Sequence, residues 1–194
     1  MKSLFCSLTL FLVTAVFADD KALLKDDFSN ADLKERRAIR GDWKYEHGVA
    51  TCTQDDELYK KFKDHGPILF YDLPHTNALV KFQFKPDGAK SVVFTANGEK
   101  GHVFRFILNS TGMNVRAFPP EDPSKSIAIA QENAPLVSGE WVKVEVKLDG
   151  NKAIVKLGDT PSRSYEHSSF SKPKVNLSIG FSYGTLSVKD FVVY

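Results

Sequence analysis

The stretch GEWVKVEVKLDGNKAIVKLGD, from Gly139 to Asp159, constrains the fold more than any other part of the chain. Val142, Val144, Val146 and Leu148 alternate with Lys143, Glu145, Lys147 and Asp149, the period-two pattern of a strand with one dry face and one wet face. A two-residue loop at Asp149-Gly150 or Gly150-Asn151 turns the chain back and sets Ala153, Val155 and Leu157 opposite the valines. One face of the hairpin is then wholly apolar and must be covered, while its reverse carries Lys143, Glu145, Lys147, Ile154 and Lys156.

The same grammar runs through the rest of the chain. About eleven short segments, from WKYEHGVATC to TLSVKDFVVY, are rich in β-branched and aromatic residues and are bounded by Gly, Pro, Asn or Asp. No long helical period is followed by a strand at βαβ spacing, which disfavours a parallel sheet. Two short helices are expected at most: Asn30–Gly41, capped by Asn30 and stopped by Gly41, and DDELYKKFKDHG, where Leu58 and Phe62 stand four apart. Many short antiparallel strands of this kind are buried by a two-sheet sandwich or jelly roll. The expectation is an all-β, single-domain sandwich over residues 19–194.

Processing and composition narrow the setting. Met1–Ala18 has a basic start at Lys2, an apolar run too short to span a bilayer, and small residues at Val16 and Ala18 ahead of Asp19-Asp20-Lys21. A signal peptide cleaved near Ala18 is expected, with the mature chain secreted or periplasmic, without a transmembrane segment, and monomeric. The formal net charge of +2 falls further once Lys2 is removed, so nucleic acid is not an expected partner. Of the two cysteines, Cys6 lies in the signal, leaving Cys52 as a buried thiol with no His/Asn arrangement beside it to make it a nucleophile. The five histidines show no zinc-ligand spacing. Oxygen donors cluster in KDDFSNAD, and Asp27 with Asp190 forms a candidate calcium pair if the first and last strands are neighbours; the alternative is a capped turn. No other cofactor is required.

A second hairpin, HVFRFILNSTGMNVRAF, sets Phe104, Phe106 and Leu108 against Met113, Val115 and Ala117, and leaves Arg105 and Arg116 on its reverse. If Ser110-Thr111 forms the loop the two arginines are directly opposite, and if Thr111-Gly112 does they are diagonal. Such a pair repels unless Glu145 or another acid lies between them, the side chains splay into water, or a ligand does the same work. Arginine's planar fork suits sugar hydroxyls or a uronate carboxylate. Among aromatics, Trp43 and Trp141 are expected to pack, and Tyr71 and Tyr183 are the candidate stacking platforms.

Several elements in succession resemble the 3-keto-disaccharide hydrolase family, planctomycete-type secreted proteins with a concanavalin A-like or laminin-G-like sandwich. They are DDFSN, GDWKYEHGVAT, ALVKFQFK followed by KSVVFTA, the Gly139–Asp159 hairpin, and IGFSYGTLSVKDFVVY. The resemblance implies a glycosidase. It carries no catalytic residue across, however: the family's arginine position holds Thr95 or Ala96, and its acid and amide positions hold His102 and Phe104. Hydrolysis needs two carboxylates, and Glu145 is the one strand-centred acid, nominated as acid or base. The preferred expectation is carbohydrate recognition on a polar sheet face, with Arg105, Arg116, Lys81, Tyr71 and Glu145 as contacts. The alternatives are a hydrolase using Glu145 and a non-catalytic structural or adhesive envelope domain.

Overall fold

Alternating sequences of this kind fold only when two sheets close over one another, and the structure, a computed structural model, shows that closure. It describes residues 21–119, 121–122 and 125–194; the expected signal segment Met1–Ala18 lies outside them. One sheet has eight strands, in the order β13 (Arg163–Glu166), β12 (Lys152–Leu157), β11 (Val142–Asp149), β6 (Ala78–Asp87), β15 (Thr185–Val193), β4 (Val49–Thr53) and β3 (Lys44–Glu46), with β1 (Leu24–Asp26) also paired to β15. The other has seven, in the order β10 (Ile127–Glu132), β9 (Gly112–Ala117), β8 (Gly101–Asn109), β7 (Ser91–Gly98), β14 (Lys174–Ser182), β5 (Ile68–His75) and β2 (Arg36–Ile39). Every strand pair is antiparallel.

Both hairpins keep the expected faces. Asp149 pairs with Lys152, so Gly150-Asn151 is the first loop, and Val144, Val146 and Leu148 oppose Leu157, Val155 and Ala153. Asn109 pairs with Gly112, so Ser110-Thr111 is the second loop and Arg105 stands directly opposite Arg116. The apolar flanks of the two sheets meet in one core, where Phe82 of β6 stacks on Phe94 of β7 at 5.8 Å between ring centroids. Each such phenyl ring removed from water contributes about 1.5–3 kcal/mol.

One polar cluster crosses the layers. Arg36 of β2 donates from Nη1 to both carboxylate oxygens of Asp26 in β1, at 2.8 Å each, and from Nη2 to the carbonyls of Asn30 and Ala31. This explains why Asn30–Gly41 is not the expected helix. Asn30 instead caps a turn through Asp32 N–H, and the chain then extends so that Arg36 alternates inward to Asp26 while Arg37 points out. The other expected helix is present as α1 (Asp56–Lys61), capped by Asp55, whose Oδ1 accepts from the Glu57 and Leu58 amides.

The chain passes from β14 to β15, and so between sheets, at Tyr183 and Gly184, both with positive φ (64° and 56°). A Cβ on Gly184 would lie 2.3 Å from the Asp87 carbonyl oxygen, so this crossing has room only for glycine. Cys52 is buried and unpaired, and desolvation pushes its thiol up to about 12. Of the two tryptophans expected to pack, Trp43 does, edge-on to Phe181; Trp141 is instead exposed, between the ammonium groups of Lys85 and Lys189.

Candidate functional site

Strand alternation puts every second residue of the seven-stranded sheet on its outer face, and register aligns them into rows. One row runs Arg37, Phe70, Ser178, Thr95, Arg105, Arg116, Ala128 across all seven strands. Beside it lies a shorter row, Asp72, Asn176, Asn97 and His102. The loop that carries α1 rises along one side of these rows with Tyr59, Asp64 and His65, making a groove of about 400 Å³ whose floor is the sheet itself. Gly180 keeps that floor low between Ile68 and Val93.

The floor is a connected hydrogen-bond network. Asn97 donates from Nδ2 to Asn176 Oδ1 at 2.8 Å and to Ser178 Oγ at 3.3 Å, which leaves its Oδ1 to accept from His102 Nδ1–H at 2.6 Å. His102 Nε2 then has its lone pair free, and it accepts from Arg105 Nη2 at 2.8 Å. The chain of donors therefore fixes one tautomer of a neutral imidazole. Burial, and then the adjacent Arg105 charge, depress His102 to about 4. Arg105 also donates from Nε to Thr95 Oγ1 at 3.0 Å, and the Phe118 ring lies 5.6 Å from its guanidinium carbon. Burial and the neighbouring Arg116 lower its pKa.

The two arginines differ in their freedom. Arg116 is held by Ser126 and Asn114 through all three of its nitrogens. Arg105 bonds through Nε and Nη2, and its Nη1 has no hydrogen-bond partner among the described residues. Phe70 is half-buried in the row, with the Arg37 guanidinium 4.5 Å above its ring and itself gripped by both oxygens of Asp72. Lys90 lies 3.9 Å from the Tyr183 ring centroid, and that ring packs on Tyr59 at the rim.

Only part of the expected site comes together. Arg105 and Arg116 share the groove face, but Glu145 and Lys81 pair with each other on the outer face of the opposite sheet, where Glu145 also faces Lys156. Glu145 therefore neither neutralises the arginines nor acts beside them. Tyr71 is not a platform at all: it is fully buried, stacked 3.7 Å from Phe191, with its hydroxyl donating to Asp26. Its neighbour Phe70 has the parity that Tyr71 was expected to have. The first and last strands are indeed neighbours, yet Asp27 accepts from Ser29 and Asp190 from Gln83, and no group of three His, Cys, Asp or Glu that could hold a metal ion occurs among the described residues. Asn97, Asn176, His102 and Phe70 were missed as site residues. A donor or acceptor at the outward position of a strand was the available signal, and it is shared with every solvated face.

Neither a protein-family model nor a curated protein sequence matches the chain. Solved structures do. A prokaryotic β-1,3-1,4-glucanase (lichenase) from a mouse hindgut metagenome superposes with a TM-score of 0.66 at 12% identity, over 88% of this chain and 97% of that one. A Bacillus subtilis protein of unknown function with a galectin-like fold gives 0.65 at 14% identity, over 89% and 95%. The carbohydrate binding module CBM66 from Bacillus subtilis gives 0.62 at 10% identity, over 82% and 94%. At such identities the likeness establishes the fold, a concanavalin A-like jelly-roll sandwich.

Proposed function

We propose that this chain is an exported carbohydrate-binding sandwich that receives its glycan along the groove of the seven-stranded sheet. The observation that carries the reading is the continuous line of side-chain donors and acceptors, Asn97, His102, Arg105 and Thr95, set in one groove beside the half-buried ring of Phe70 and braced by Asn176. Sugars present hydroxyls around a ring with apolar C–H faces. A rigid floor of directional polar groups next to an aromatic surface matches both parts of that chemistry. The groove is preorganised, because each polar group is already held by its neighbour and little ordering remains to be done on binding. The fold shared with a carbohydrate binding module and a glucanase adds support.

Binding is favoured over hydrolysis by the carboxylate count. Cleavage of a glycosidic bond by the usual route needs two acids facing each other across the substrate. Asp64 is the one carboxylate among the described residues lining the groove, and nearby Asp72 is locked on Arg37. The glycosidase that the 3-keto-disaccharide hydrolase resemblance implies is therefore the second reading, for which the described groove offers no pair of facing carboxylates. An oligosaccharide array followed by calorimetry tests the reading. Retention of a glycan without release of reducing ends, weakened in Phe70→Ala, is the expected result; a protein that retains no glycan, or one that turns it over, overturns it.

A further inference from the structure

We infer that the glycan this groove takes is acidic, with its anionic group, a carboxylate or a sulfate ester, seated against Arg105. The inference rests on the proposed binding reading and names the class of sugar. It comes from how the arginines are partnered. Arg36, Arg37 and Arg163 each meet a carboxylate, on Asp26, Asp72 and Glu132, and Arg40, which has none among the described residues, lies away from other arginines over the Phe62 ring. Arg105 and Arg116 do not: no described carboxylate oxygen lies within 4.0 Å of either, although they are directly opposed in register on adjacent strands. Two like charges so placed repel one another, and Arg105 is in addition partly withdrawn from water.

The neighbours of Arg105 orient it without discharging it. Thr95 and His102 are neutral acceptors, and they take Nε and one hydrogen of Nη2. Asn97 fixes the imidazole so that it offers Arg105 a lone pair. Arg116 is satisfied by hydroxyl, amide and carbonyl oxygens, which likewise supply no charge. What remains is the Nη1 group and the second hydrogen of Nη2, a two-donor edge of a guanidinium in a groove. That edge matches two oxygens of a planar carboxylate or two of a sulfate. The hydroxyls of a neutral sugar would satisfy the donors and leave the repulsion in place. An anionic sugar does both, so it is preferred over a neutral one of equal size.

The test is calorimetric titration of the purified chain with three tetrasaccharides at low salt: a uronan, a sulfated galactan and a neutral glucan. Binding of the uronan or of the sulfated galactan at least tenfold tighter than the glucan, weakening as sodium chloride is raised, supports the inference, and the tighter of the two identifies the anion. Arg105→Gln should abolish the preference, and Arg116→Gln, at a more open position, should reduce it; circular dichroism checks that both fold. Equal affinity for charged and neutral sugars overturns the acidic assignment and leaves the binding reading standing. Failure of all three to bind overturns both.

Discussion

Arg36 Nη1 and the two oxygens of Asp26 are 2.8 Å apart across the sandwich, joining β2 of one sheet to β1 of the other, with both side chains almost wholly out of water. The Tyr71 hydroxyl completes the cluster at 3.0 Å, and the Arg36 guanidinium lies 3.9 Å from the Tyr45 ring centroid. Removing one partner of a buried ion pair strands the other. Asp26→Ala should therefore destabilise the fold by about 3–5 kcal/mol in urea denaturation, while Tyr71→Phe, which loses one hydrogen bond to a charged group, should cost about 1.5–3 kcal/mol.

His102 should titrate abnormally. Its folded pKa of about 4 lies below the ordinary histidine value of 6.5, so between these pH values the unfolded chain takes up a proton that the folded one refuses. Stability attributable to this residue is complete above pH 6.5 and is lost as pH falls through 4, by on the order of 3 kcal/mol in all. The difference between wild type and His102→Gln in urea midpoints measured from pH 7 to pH 4 isolates it from the other histidines. Nitrogen chemical shifts should show Nδ1 protonated at neutral pH.

Phe70 and Glu145 separate the two outer faces. Phe70→Ala should weaken glycan binding about tenfold, or roughly 1.4 kcal/mol, because it removes the aromatic surface of the groove. Glu145→Gln, on the far sheet between Lys81 and Lys156, should leave affinity within twofold. Isothermal titration with any retained oligosaccharide reads both. A loss in Glu145→Gln with no change in Phe70→Ala would move the site to the other sheet.

Lys174 is buried to 1% exposure with no described carboxylate oxygen within 4.0 Å, donating instead to the carbonyls of Thr76 and Phe170. Desolvation lowers its pKa from 10.5 to about 8. The unfolded chain thus binds the extra proton between those values, so the cost of burying the charge is in force below pH 8 and relieved as pH rises toward 10.5. Stability should increase across that window by up to roughly 3 kcal/mol, and Lys174→Met should remove the slope. Denaturation midpoints at pH 8 and pH 10 for both proteins decide it.

The layout of each hairpin was legible because alternation is a local property: Val144, Val146 and Leu148 announce one face and Arg105 and Arg116 the other. Which sheet a hairpin joins is not local. β8 and β9 enter one layer and β11 and β12 the other through pairings with distant strands, so nothing near Glu145 reveals that the arginines lie across the core from it. The parity of β5 was hidden for a different reason. Ile68, Leu69, Phe70 and Tyr71 are apolar on both flanks, since one flank is the core and the other a groove wall, and periodicity is silent where both sides are apolar. Asn97 and Asn176 meet only through the β7–β14 ladder, and Arg36 turns inward only because Asp26 awaits it there.

β14 lies between β7 and β5, and β15 between β6 and β4, so residues 174–194 supply an inner strand to both layers. A nascent chain on the ribosome holds neither layer whole until this segment has left the exit tunnel, and assembly must then thread two strands into gaps between partners made long before. The two layers therefore become complete together, when residues 174–194 take their inner places, and neither can close over the core ahead of the other.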